Sequence, residues 1–346
     1  MVVCAPRPVE EVLAEGARLV EPAYRAAVGR LPVELARVAG YHAGWWDTDG
    51  CPSTGMGKAV RPALVVACAR ACGADIPTDD TSGESGDGGV GAVGAAVEMV
   101  HDFSLLHDDV MDGDLTRRHR PAVWAVFGTG QAILVGDVLL TLALDTVGER
   151  RLAKVLTAAL VDLCVGQSTD LAFEERRDVT LPECLAMAEA KTGALLGAAC
   201  ELGALAGGAD SGTAACYRRF GRQVGVAFQL IDDLLGIWGD PMVTGKPAGA
   251  DLVARKKSLP VVYALTSGTS ASEHLAWLYG RDWDLDTEAI AYTADLVDAA
   301  GGRTWAQDEA RRRIDAAMAS LRQAAPDPRA AADLVALADL ITRRDH

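Results

Sequence analysis

Apolar residues recur at i, i+3, i+4 and i+7 in one long stretch after another, and this periodicity limits the fold more than any other feature. It runs through EEVLAEGARLVEPAYRAAVGRL (10–31), ALVVACARACG (63–73), AILVGDVLLTLALDTV (132–147) and LAKVLTAALVDLCVGQSTDLAFEE (152–175). It continues in LAMAEAKTGALLGAACELGALAGG (185–208), RQVGVAFQLIDDLLGIWG (222–239), AIAYTADLVDAAGG (289–302) and EARRRIDAAMASLRQAA (309–325). Such spacing gives a helix one apolar face. Alternating runs bounded by hairpin turns, the mark of half-buried strands, are hard to find. The fold class is therefore all-α, and with no internal repeat or clear linker the whole of 1–346 reads as one helical domain.

Two segments interrupt the pattern. DIPTDDTSGESGDGGVG (75–91) has the composition of a loop, with Asp79 and Asp80 as ordinary solvated acids, and GDPMVTGKPAGADLVARKKSLP (239–260) is a Pro/Gly-punctuated loop rich in lysine. Half of the residues are hydrophobic, but aromatics make up only 5%, so the core should be packed from small aliphatic side chains. A net charge of −15 argues against nucleic acid and anionic membrane surfaces as partners, and it makes each local basic cluster more informative. The eight cysteines form no CxxC pair and fit reduced thiols. No leader precedes the first helix, and the most apolar run is interrupted by Gly136 and Asp137, so a cytoplasmic chain without a transmembrane segment is expected.

Within HDFSLLHDDVMDGDLTRRHRP (101–121), His101, Asp108 and Asp112 share one helical face, with Asp109 about 100° away. Carboxylates four residues apart at the negative end of a helix repel one another unless a cation joins them. Oxygen ligands of this kind suit magnesium, which binds through carboxylates, water and substrate phosphate. Arg117, Arg118 and Arg120 follow at once and suit the forked recognition of phosphate oxygens. A solvated acidic pair is the blander origin of the first spacing, and a second cluster weighs against it. In GVAFQLIDDLLGIWGD (225–240), Gln229, Asp232, Asp233 and Gly236 repeat the pattern inside an otherwise apolar segment, where unpartnered carboxylates are costly. Two acidic helices about 120 residues apart could hold metal ions and a phosphate ligand between them. Cations stand in three further motifs: Lys58 and Arg61 in GMGKAVRP, Lys191 with Thr192 in AEAKTGALLG, and Lys246, Arg255, Lys256 and Lys257 in the 239–260 loop.

Five of these motifs occur in an order that resembles the trans-isoprenyl diphosphate synthases, the polyprenyl synthetase family. GKAVRP, LLHDDVMDGDLTRRHRP, GQSTDL, KTGAL and FQLIDDLLG…GKPAGADLVARKKSLP each look like a family motif, over about residues 55–265. The resemblance implies antiparallel helices around an apolar cavity, a homodimer, and condensation of isopentenyl diphosphate with an allylic diphosphate (dimethylallyl, geranyl or farnesyl). It implies Asp108, Asp112 and Asp232 as main ligands of two or three magnesium ions, supported by Asp109 and Asp233. Lys58, Arg61, His101 and Arg118 would bind isopentenyl diphosphate, and Arg117, Lys191, Lys246 and Lys256 the allylic diphosphate. Thr192 and Gln229 would lie near the reacting carbons.

The chain departs from the family pattern at three positions. Ala59 stands for an arginine, His119 for a glycine after the arginine pair, and Gly236 for the third aspartate of the second motif, which Asp240 or water would then have to replace. In this family a bulky side chain four or five residues before the first aspartate limits product length. Those positions are Ser104 and Phe103; the small Ser104 leaves room beyond C15 and Phe103 sets a floor, which favours the C20 geranylgeranyl product. Competing readings are a terpene synthase on the same scaffold, an HD-type phosphohydrolase built on His101-Asp102 and His107-Asp108, and a non-catalytic prenyl-diphosphate-binding or partner subunit. Retention of Lys58, Arg61 and His101 favours two diphosphate substrates over the first. The second gives no role to Asp232 or Lys191.

Overall fold

A computed structural model of the chain describes residues 7–53, 57, 59–76, 89–241, 248–280 and 286–342. The expected helices form: α1 (Val9–Val28), α2 (Val33–His42), α3 (Val60–Ala71), α4 (Val90–Asp112), α5 (Val123–Phe127), α6 (Thr129–Thr146), α7 (Arg150–Glu175) and α8 (Leu181–Ala188). A π-helical turn (Glu189–Gly193) follows, then α9 (Ala194–Ala206), α10 (Ser211–Trp238), α11 (Ala250–Val253), α12 (Leu259–Thr266), α13 (Ser270–Tyr279), α14 (Thr287–Ala299), α15 (Gly302–Ala324) and α16 (Pro328–Thr342). Among the described residues, strand pairing is confined to a hairpin of β1 (Thr116–Arg117) with β2 (Arg120–Pro121) and one isolated bridge between Trp46 and Pro52. Local signals explain several helix ends. Thr180 and Glu183 form a reciprocal capping box at α8, and Thr269 and Asp286 accept backbone N–H groups at the starts of α13 and α14. Gly113 closes α4 in the left-handed conformation, which a residue without Cβ adopts at little cost.

The chain divides into two compact units. The first comprises residues 1–160, 198–218 and 321–337. Within it α4 packs against α1, α3 and α6, and the core is built from Val20, Leu64, Met99, Leu106, Leu139 and Leu202. Small residues set the spacing. A Cβ on Gly16 would meet the Ala63 backbone at 2.6 Å, and one on Gly203 would meet the Val65 carbonyl oxygen at 2.3 Å. The second unit comprises 161–197, 219–320 and 338–346. One of its cores gathers Phe173, Met187, Leu230, Leu259 and Val262, and another Ile237, Leu252, Leu275 and Val297.

The apolar run in α6 does not break at Gly136 and Asp137. Gly136 lies against the His107 ring, Asp137 faces solvent, and the helix continues through both. By length and mean hydropathy alone, α6 and α7 could each cross a membrane, and only 33% and 28% of their most apolar windows are buried. The described cysteines are all free thiols, with Cys68, Cys184 and Cys200 buried and Cys51 and Cys164 exposed.

Candidate active site

In the first unit the last turns of α4 divide their acids by environment. Asp109, which the helical wheel sets off the main face, is buried and accepts both Nε (2.8 Å) and Nη2 of Arg117. Asp108 is half-buried and Asp112 is exposed. The hairpin after α4 turns through Arg118 and His119, with φ +52° and +60°; this pair of left-handed residues is the two-residue turn that suits strand twist. His119 thus takes up a conformation that favours glycine, the family's usual residue there. The turn aims Arg117 at Asp109 and places Arg118 Nη2 3.7 Å from the buried Asp102. Gly57 is a cradle for the same guanidinium, since a Cβ there would lie 2.7 Å from Arg118 Cζ. Arg120 is spent on the scaffold, donating to the Trp46 carbonyl at 2.8 Å. Burial, and next the charge of Arg61, hold the His101 imidazolium well below the usual range, so the ring is neutral near pH 7. Ser104 Oγ donates to the His101 carbonyl at 2.7 Å, while Phe103 is buried against the His107 ring (centroids 4.7 Å apart). Lys58 lies outside the described residues.

The second unit repeats the division. Asp232 is exposed, whereas Asp233 is buried and accepts from Gln229 Nε2 (2.9 Å) and the Leu259 backbone N–H (2.9 Å). Lys256 Nζ lies 3.5 Å from Asp233 and 3.8 Å from Asp251. Burial alone would lower the Lys256 ammonium, but the charges of Asp233 and Asp251 outweigh it and keep the group protonated. The extra residue of the π-helical turn swings Lys191 onto Asp170 (2.7 Å) and Thr192 onto Gln229 Oε1 (2.7 Å), so Thr192, Gln229, Asp233 and Leu259 form one chain of hydrogen bonds. This convergence needs close backbones. A Cβ on Gly166 would meet the Lys191 nitrogen at 2.3 Å, and one on Gly225 the Gly193 Cα at 2.7 Å. Lys246 lies outside the described residues.

Gly236 has a specific counterpart. A Cβ at this position would sit 2.4 Å from Asp251 Oδ2 and 2.5 Å from its Cγ, so the Asp251 carboxylate occupies the space that the side chain of a third aspartate would enter. The carboxylate that stands against position 236 is thus that of Asp251. Asp170 and Asp251 both stand in quoted motifs, GQSTDL and GADL, yet no spacing rule links them to Lys191 or Gly236, because a π-turn and a loop set those contacts. The contacts of Asp102 with Tyr24 and His42 follow from no spacing rule either, since these residues meet across separate helices.

The donors fit magnesium in kind. All are carboxylate oxygens, and the buried Asp109 Oδ2 has no hydrogen-bond partner. Among the described residues no three His, Cys, Asp or Glu side chains converge into a closed metal cage.

Comparison with known proteins agrees with the motif order. The polyprenyl synthetase model matches residues 53–296. Over 332 residues the chain is 46% identical to a geranylgeranyl diphosphate synthase of Mycobacterium tuberculosis (strain ATCC 25618 / H37Rv), covering 94% of this chain and 91% of that one. It is 43% identical over 344 residues to a (2E,6E)-farnesyl diphosphate synthase of the same strain, covering 96% and 92%. A polyprenyl synthetase from Streptomyces coelicolor A3(2) superposes with a TM-score of 0.87 at 44% identity, covering 96% of this chain and 99% of that structure. The chain belongs to the polyprenyl synthetase family.

Proposed function

We propose that the chain condenses isopentenyl diphosphate with an allylic diphosphate to make geranylgeranyl diphosphate. The observation that carries this reading is the common build of the two aspartate-rich helices. Each presents carboxylates that are exposed (Asp112; Asp232) or half-buried (Asp108) beside a buried one, Asp109 or Asp233, that is tied to a cation. In this reading Asp108, Asp112 and Asp232 hold two or three magnesium ions, and Asp109 and Asp233 orient Arg117 and Lys256. Magnesium supplies positive charge against a departing diphosphate when bound. Arg117, Lys191, Lys246 and Lys256 grip the allylic diphosphate and stabilise the negative charge that grows as its C–O bond ionises. Lys58, Arg61, Arg118 and neutral His101 hold isopentenyl diphosphate, whose double bond attacks the allylic carbon. Thr192 and Gln229, fixed by their mutual hydrogen bond, flank the reacting carbons, and the released diphosphate accepts the proton. Relatives named for C20 and C15 products both resemble the chain, and the small Ser104 with Phe103 beside it supports C20.

We read 1–346 as one catalytic domain working as a cytoplasmic homodimer. Exposed Ile133, Leu134 and Leu144 on α6, and Val161 and Val165 on α7, fit cover by a second copy rather than by lipid. Incubation of the purified chain with labelled isopentenyl diphosphate and each primer (C5, C10 and C15), with and without magnesium, tests the assignment. A magnesium-dependent C20 diphosphate is expected. Hydrocarbons formed from geranylgeranyl diphosphate alone, or no turnover, would overturn it.

A further inference from the structure

The aspartate-rich motifs leave the buried acid Asp102 unused. Asp102 is 2% exposed, six residues before the first motif aspartate, and side chains from three other segments meet at its carboxylate. The Tyr24 hydroxyl of α1 donates to Oδ2 at 2.7 Å. His42 Nε2, at the end of α2, lies 3.2 Å from Oδ1, and Arg118 Nη2, from the hairpin, lies 3.7 Å from the same oxygen. A second acid, Glu98, is buried one turn earlier on α4, and its Oε2 has no hydrogen-bond partner. Two carboxyls at i, i+4 in a dry interior are a liability that a fold keeps only where partners offset it. Burial raises the cost of ionising Asp102, but the nearby His42 ring and the Arg118 guanidinium outweigh it and hold the carboxyl below the usual carboxylate range.

Geometry shows what that ionised group acts on. Arg118 sits in a two-residue turn with a left-handed backbone, and its side chain is partly exposed at 31%. Its guanidinium has the Gly57 backbone on one side and Asp102 behind it. A planar fork held on two sides can present its remaining donors in one direction only. Tyr24 anchors the carboxylate through a hydrogen bond at Oδ2, while Oδ1, which accepts no hydrogen bond, faces His42 and Arg118 at ion-pair distance, as outer partners do for a ligand in many binding sites.

We propose that Asp102 is a positioning residue for the isopentenyl diphosphate site, holding Arg118 in the orientation that receives the diphosphate, with Tyr24 and His42 locking the Asp102 carboxylate in turn. This rests on the reading that Arg118 contacts isopentenyl diphosphate. The test combines calorimetric titration of isopentenyl diphosphate with KM and kcat for both substrates, in wild type, Asp102→Asn, Tyr24→Phe, Arg118→Ala and the double variant Asp102→Asn/Arg118→Ala. Asp102→Asn should weaken isopentenyl diphosphate about tenfold, and Tyr24→Phe about threefold, with the allylic KM unchanged within twofold. In the Arg118→Ala background Asp102→Asn should have no further effect, because its target is gone. Additive losses in that background, or unchanged isopentenyl diphosphate affinity in a folded Tyr24→Phe, would overturn the proposal even if Asp102→Asn itself did not fold. Wild type that fails to bind isopentenyl diphosphate would instead overturn the reading of Arg118.

Discussion

Replacing Gly236 with alanine should change sign as a stability mutation according to what stands at position 251. A glycine inside a helix costs about 1 kcal/mol relative to alanine, so on propensity alone Gly236→Ala would stabilise by that amount. In this chain the new Cβ would lie 2.4 Å from Asp251 Oδ2, a distance that non-bonded atoms do not tolerate, so the Asp251 carboxylate must move. Overpacking of this kind costs about 1–3 kcal/mol. The accompanying loss of the 3.8 Å contact with a partly exposed Lys256 adds less than about 1 kcal/mol. The net expectation is a loss of about 1 kcal/mol in wild type. In an Asp251→Ala background the obstacle is gone and Gly236→Ala should stabilise by about 1 kcal/mol. Urea unfolding of the four proteins in EDTA, with no metal to complicate the comparison, gives the coupling directly. A stabilising Gly236→Ala in the wild-type background would refute the claim that Asp251 fills the place of the third aspartate.

Other expectations can be checked with the same reagents. Ser104→Tyr should shorten the product and Phe103→Ala lengthen it, and unchanged chromatograms for both would remove these residues from chain-length control. Burial, reinforced by the charge of Asp102, pushes the Glu98 carboxyl up to about 7. The folded state therefore favours its protonated form, and stability falls as pH rises from about 4.5 to about 7, by at most about 3 kcal/mol. Glu98→Gln should flatten that decline, and parallel pH–stability curves for the two proteins would contradict it. His119→Gly should relieve a left-handed backbone and raise stability by roughly 1 kcal/mol, measured as a higher urea midpoint at unchanged slope.

The helices and both acidic clusters were legible because apolar periodicity and i, i+4 carboxylates are local signals that follow from helix geometry. The same logic placed Lys191 and Gln229 in suitable motifs. It did not place them in contact with Asp170 and Thr192, because a π-turn shifts the register after Ala188 in a way that no spacing rule in the sequence reveals. A helical wheel separates Asp109 from Asp108, and Asp233 from Asp232, but does not say which of each pair is sealed. Which carboxylate is sealed depends on Arg117 in a hairpin and on the Leu259 backbone N–H, both reached through turns. The contacts of Asp102 escaped for a related reason: Tyr24, His42 and Arg118 come to it from segments up to 78 residues away. Lys58 and Lys246 remain readings of the sequence, outside the described residues.

The unequal aspartates have a consequence for how such a chain can drift. Loss of a sealed member, Asp109 or Asp233, takes from Arg117 or Lys256 its nearer acidic partner and leaves only Asp114 or Asp251, and so lowers how much protein survives in the cell. In the proposed reading, loss of Asp108, Asp112 or Asp232, none of which is sealed in the interior, bears first on the chemistry. Neighbouring letters of one motif thus answer to separate pressures, abundance for one and turnover for the other.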